Sequence, residues 1–201
     1  FHGKVELIQI CTPPARGMRI YDKIQHEVEQ AVGRINGNYS SINWIPIRFM
    51  TRSFPFEEVL RYYAVADIAW ITPLRDGLNL VAKEYIAAQG QLADPSGVLI
   101  LSEFAGSAVE LPYAIRTNPY DTRSMKEGLL QALMMPESER TLRMKRLYDQ
   151  VKYYDVDFWA ADFLQQLRGG EMTENPVISS RQADLKTLEG VIPETAELLD
   201  N

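Results

Sequence analysis

Two carboxylates with seven residues between them mark the stretch of this sequence best equipped for chemistry. Asp76 stands directly before Gly77, and Glu84 is the last residue but one of the run Thr72-Pro-Leu-Arg-Asp-Gly-Leu-Asn-Leu-Val-Ala-Lys-Glu-Tyr85. Gly77 removes the side chain where a ligand would come closest to the backbone. The amides at 77–80 sit where a helix begins, and unpaired N–H groups there suit an anionic or hydroxyl-rich ligand. Asp76 can accept from sugar hydroxyls. Glu84 offers two oxygens to two neighbouring donors, which matches the paired hydroxyls of a ribose. The same residues also have a plain structural reading: Asp-Gly is an ordinary turn, and a glutamate on a helix is usually solvated. A further candidate is Arg16, in the loop Cys11-Thr-Pro-Pro-Ala-Arg-Gly17. Its guanidinium fork fits a phosphate, although a solvated surface arginine reads equally well.

The elements around these residues follow from periodicity. Val5–Ile10 reads as a strand buried on both faces, with the Arg16 loop at its carboxyl end. A helix from about Ile20 to Ile35 has Ile20, Ile24 and Val28 on one face, and Asn36-Gly37 stops it. Ile45–Met50 is the second strand. Pro55 precedes a helix running from Phe56 through Val65, with Glu57 and Glu58 in its first turn. Ala66–Ile71 enters a third, apolar strand that ends at Thr72-Pro73. Leu80, Val81, Tyr85 and Ala88 then recur at helical spacing, so a helix starts near Asn79 and runs to about Gln89. Gly97–Leu101 and Ala114–Thr117 complete the strands. Helices over Thr122–Met134, from Pro136 to about Val151, and over Val156–Leu167 close the domain. Strands alternating with helices predict an α/β fold, a parallel sheet with helices on both faces. Ligands bind such sheets at the carboxyl ends of the strands, which is where Asp76 and Arg16 fall.

Composition narrows the function. The chain has 201 residues, enough for one domain, with ordinary globular hydrophobic (46%) and charged (24%) content. The net charge of −6 argues against a nucleic-acid partner, which needs clustered Lys and Arg. No apolar stretch approaches the ~20 residues of a membrane span. A single cysteine, Cys11, forms no internal disulfide or multi-cysteine metal site, and with His2 and His26 far apart no metal constellation is expected. A cytoplasmic location fits that cysteine usage. The loop after the first strand has one glycine, so a dinucleotide fingerprint is missing, and no P-loop is present. Residues 169–201 are acidic and aperiodic, and read as a polar tail. The chain opens on Phe1-His-Gly-Lys4, as a piece of a longer protein would.

The run Thr72–Tyr85 resembles the signature of the trehalose-6-phosphate synthase family of retaining glycosyltransferases. Gly33-Arg-Ile-Asn-Gly37, Trp44 with Pro46, Leu99–Gly106 (LILSEFAG) and Asn118-Pro-Tyr120 match the family in order. Gly17–Tyr21, Ala66–Ile71, Val109-Glu-Leu-Pro112, and Tyr154-Asp-Val156 with Trp159 fit the branch that glucosylates glycerol phosphate. The likeness covers about 1–168. It implies the Rossmann-like, donor-binding C-terminal domain of a two-domain GT-B glycosyltransferase, with the N-terminal half of the same chain missing. By resemblance Asp76, Gly77, Leu78, Asn79 and Leu80 would hold the donor glucose and diphosphate, with Asp76 the catalytic-site carboxylate though not a nucleophile. Glu84 would hold the ribose, and Arg16 an acceptor phosphate. The implied donor is ADP-glucose and the acceptor sn-glycerol 3-phosphate; the trehalose branch would use UDP-glucose and glucose 6-phosphate. Neither a cofactor nor a metal is implied. A non-catalytic sugar-nucleotide sensor on the same fold is the remaining alternative.

Overall fold

The computed structural model describes residues 1–12 and 19–169. Arg16 and the tail expected beyond 169 lie outside the described residues. The chain divides into two compact units, Phe1–Val59 and from Leu60 onward.

In the first unit, β1 (Leu7–Ile10) and β2 (Ile47–Met50) pair in parallel, from Leu7 opposite Ile47 to Ile10 opposite Met50. The crossover is α1 (Arg19–Tyr39). Two expectations change here. Strand β1 is not buried on both faces: Gln9 is exposed and Ile8 is 43% exposed, because a two-stranded ribbon does not enclose both of its faces. Helix α1 also does not stop at Asn36-Gly37. The Asn36 side chain donates to the Ile47 carbonyl (2.9 Å) and accepts from the Ile47 amide (3.1 Å). Its amide thus clamps the entry of β2 instead of capping a helix end, and Gly37 keeps an ordinary negative φ. A Trp44 indole N–H donating to the Val5 carbonyl (3.1 Å) holds the turn before β2 against the residues leading into β1.

Helix α2 (Phe56–Val65) carries the chain into the second unit. There β3 (Ile68–Ile71), β4 (Val98–Ser102) and β5 (Ile115–Thr117) form a parallel sheet in the order β3-β4-β5. Ile68 lies opposite Val98, and Ile100 opposite Ile115. Every residue of β4 is buried, as a central parallel strand requires. Its side chains alternate between two cores. Leu99 and Leu101 pack with Ala82, Tyr85 and Ile86 of α3 (Leu80–Gly90) and Met144 and Leu147 of α5 (Glu137–Tyr153). Val98 and Ile100 pack with Ile115, and with Ala132 of α4 (Thr122–Met134) and Met135 just after it. Helices therefore cover both faces of this sheet. At about 1.5–3 kcal/mol per fully buried large aliphatic or aromatic side chain, these two clusters are the main stabilising term. Helix α6 (Val156–Leu167) follows, capped by Asp155, whose carboxylate accepts from the Phe158 amide (2.8 Å).

Candidate functional site

The Asp-Gly run leaves the carboxyl end of β3 and enters α3 through a loop that the protein fixes at three points. The first is Asp76. Its Oδ1 accepts from the amides of Leu78 (3.1 Å) and Asn79 (2.9 Å), and its Oδ2 accepts from the Asn79 side-chain amide (3.0 Å). These donors, the Asn79 side chain foremost, hold the Asp76 carboxyl below its ordinary range. The second point is Asn79, 6% exposed and in the left-handed region at φ 53° and ψ 71°. It is the one non-glycine residue with positive φ among the described residues. Asparagine tolerates that conformation, and here its Oδ1 accepts from the Ala82 amide (3.0 Å), which caps α3.

The third point is a backbone bridge to the loop after β4. The Asp76 amide donates to the Phe104 carbonyl (3.3 Å) and the Gly106 amide donates to the Asp76 carbonyl (2.9 Å). Gly106 lies so close that a Cβ there would collide with the Gly77 carbonyl oxygen. The small residues of Ala105-Gly106-Ser107 thus admit the neighbouring loop. Gly77 is different. A Cβ on it would meet nothing within 4 Å, so no contact among the described residues demands a glycine there. Among the described residues the amides of Gly77 and Leu80 have no hydrogen-bond partner, whereas those of Leu78 and Asn79 are engaged by Asp76. Leu78 and Leu80 are 70% and 59% exposed.

The apolar face of α3 is only in part the one its spacing suggested: Tyr85 is buried as expected. Leu80 and Val81 face outward, while Ala82, Tyr85, Ile86 and the polar Gln89 are buried. Gln89 is accommodated because its Nε2 donates to the carbonyls of Tyr63 (2.8 Å), Ala64 (3.2 Å) and Ala66 (3.2 Å), and its Oε1 accepts from the Gly97 amide (3.1 Å). The Tyr85 hydroxyl also donates to the Ala66 carbonyl (3.0 Å). Together they satisfy the Tyr63 and Ala64 carbonyls near the end of α2 and the Ala66 carbonyl just beyond it, groups of the kind a helix end leaves orphaned. Glu84 is half-buried on the same helix. The Tyr63 hydroxyl donates to its Oε2 (3.3 Å). Burial, then the Glu84 charge, pushes that hydroxyl up to about 12. Lys83 pairs with Glu110, tying α3 to the segment after β4.

Asp76, Gly77, Leu78, Asn79, Leu80 and Glu84 therefore share one loop and the first turns of one helix. Tyr63 and the Lys83–Glu110 pair gave no local signal in the sequence. Gly106 stood out as a small residue in the matched run Leu99–Gly106, but its close approach to Gly77 did not. Among the described residues no group of three His, Cys, Asp or Glu is placed to hold a metal ion, and no helix is long and apolar enough to cross a membrane.

The chain is similar to known proteins along most of its length. It is 55% identical over 162 residues to a glucosylglycerol-phosphate synthase from Pseudomonas anguilliseptica, covering 81% of this chain and 21% of the relative. It is 52% identical over 165 residues to a glucosylglycerol-phosphate synthase from Picosynechococcus, covering 82% of this chain and 32% of the relative. The fold matches a UDP-forming alpha,alpha-trehalose-phosphate synthase from Burkholderia xenovorans, solved in complex with glucose-6-phosphate, with a TM-score of 0.77 and 38% identity over 83% of this chain and 37% of that one. The chain thus spans about a fifth to a third of the length of these curated relatives. The Glycosyltransferase family 20 profile matches residues 1–169, and the chain belongs to that family, with the Rossmann-like fold of its GT-B members.

Proposed function

We propose that this chain is the nucleotide-sugar-binding part of a retaining glucosyltransferase that moves glucose from ADP-glucose to sn-glycerol 3-phosphate, giving glucosylglycerol phosphate. The observation that carries the reading is the fixed loop at the carboxyl end of β3, which leaves the Gly77 and Leu80 amides without partners among the described residues, beside a helix N-terminus. The leaving group of such a transfer is a nucleotide diphosphate. Oriented amides stabilise its developing charge without reorganising during the reaction. In this reading Asp76 acts chiefly by building the loop. Its carboxylate retains lone pairs for a sugar hydroxyl while three N–H groups hold it in place. A carboxylate so held is a poor nucleophile, which suits a retaining transfer without a covalent enzyme intermediate. Leu78 and Asn79 shape the sugar end of the site, the Leu80 amide faces the diphosphate, and Glu84 takes the ribose. Arg16 would meet the acceptor phosphate. The remaining contacts to acceptor and diphosphate would come from the rest of a longer protein, since the matched segment is only 21% and 32% of the length of these relatives.

Identities of 55% and 52% to glucosylglycerol-phosphate synthases favour ADP-glucose and glycerol 3-phosphate. The fold match to a UDP-forming trehalose-phosphate synthase carries the second reading, with UDP-glucose and glucose 6-phosphate. Crossing both donors with both acceptors on the full-length protein, and identifying the product by mass, separates them. We expect glucosylglycerol phosphate from the first pair. Trehalose 6-phosphate as the dominant product would establish the second reading instead, and no transfer with any pair would leave a sugar-nucleotide-binding protein without this activity.

A further inference from the structure

A carboxylate that binds a diol must present its plane at a defined angle, and on an exposed helix face nothing local sets that angle. Glu84 differs in having a fixed neighbour. Tyr63 stands near the end of α2, its backbone carbonyl gripped by Gln89 (2.8 Å) and its ring set edge-on to buried Tyr85 with centroids 6.2 Å apart. Its hydroxyl reaches Glu84 Oε2 at 3.3 Å. Both ends of the tyrosine are thus tied to α3, the helix that carries Glu84. We propose that Tyr63 is the positioning residue for Glu84, holding one oxygen so that the other, with the remaining lone pairs, receives the two ribose hydroxyls of the nucleotide. This rests on the reading of Glu84 as the ribose acceptor. The hydroxyl is a permanent donor over any working pH, since burial and the Glu84 charge push its ionisation up to about 12. A carboxylate held by that donor discriminates between a nucleotide with ribose hydroxyls and one without them.

The test uses the full-length protein and four ligands: ADP, UDP and their 2′,3′-dideoxy forms, titrated into wild type, Tyr63→Phe and Glu84→Ala. Tyr63→Phe keeps the ring and its packing on Tyr85. Tyr63→Phe is expected to weaken the ribonucleotide that the wild type prefers by about tenfold, the low end for a hydrogen bond to a charged group. Its dideoxy form should change by less than about twofold, so that the variant loses ribose discrimination. Equal weakening of both forms would make Tyr63 a packing residue and overturn the inference, as would no change in either. Glu84→Ala distinguishes the two levels. If it too leaves ribose discrimination intact, the ribose assignment of Glu84 falls and the inference with it. If it abolishes discrimination while Tyr63→Phe does not, only the role of Tyr63 is refuted.

Discussion

Asn79 is where backbone and side chain are both committed, so replacing it tests how the loop is held. Three contributions are lost in Asn79→Ala. The cap on the Ala82 amide is worth about 1 kcal/mol. The bond from Nδ2 to Asp76 is worth about 1 kcal/mol, below the usual range for a charged acceptor because Asp76 keeps two other donors. An alanine Cβ in the left-handed region costs about another 1 kcal/mol. The sum is about 3 kcal/mol. Asn79→Gly also loses the Asp76 bond, but as a cap glycine gives up only a few tenths and it has no penalty at φ 53°, so it should cost about 1.5 kcal/mol. Equilibrium urea unfolding of the chain reads both values, provided the slope is unchanged between variants. The order matters more than either number. If the alanine and glycine variants agree within about 0.5 kcal/mol, the left-handed backbone carries no energetic weight and the account of this loop is wrong.

Other outcomes follow from the same geometry. Asp76 has a depressed folded-state pKa, so its contribution is fully present above its unfolded value near 4 and is lost as pH falls through the lower folded value. Asp76→Asn should therefore destabilise at pH 7 and approach wild type once the pH has fallen through the lowered folded value; a deficit independent of pH would show that the carboxylate charge is irrelevant to the fold. Gly106→Ala must push the Gly77 carbonyl aside, and is expected to destabilise by about 2 kcal/mol and to weaken nucleotide-sugar binding. Gly77→Ala meets no protein atom and should unfold like wild type, yet weaken binding if a ligand lies against that backbone. Full affinity in Gly77→Ala, measured by calorimetry, would remove Gly77 from the site.

Local signals made much of this fold legible. Helices α2, α4 and α6 have the bounds their sequences announce, because their ends are written nearby. Pro55 accepts from the amides of Glu58 and Val59, Asp121 caps α4, and Asp155 caps α6. Asn36-Gly37 carried an equally strong stop signal and was overruled, since Asn36 found a tertiary partner in Ile47. The face of α3 was misread in part for a related reason. Leu80 and Val81 have apolar side chains, but the buried positions are those that face β4 and α5, and a glutamine that reaches the end of α2 occupies one of them. In the candidate site, the residues of the Asp-Gly run were legible as a group. Their internal arrangement was not: which amides Asp76 consumes depends on the left-handed turn at Asn79, and no pattern of residue types encodes that. Tyr63 lies 21 residues before Glu84, and only the packing of α2 on α3 brings them together.

The bracing of the Asp-Gly loop also bears on how this protein can change over time. Asp76, Asn79 and Gly106 fix the backbone through polar atoms and a missing Cβ, and none of these restraints uses the side chains of Leu74, Leu78 or Leu80, which are 56%, 70% and 59% exposed. Those three positions are mutationally uncoupled from the loop they sit on. Substitutions there can alter what meets the rim of the site while the amides behind it stay in register. A lineage built on this loop can vary what meets three leucines while the backbone behind them stays fixed.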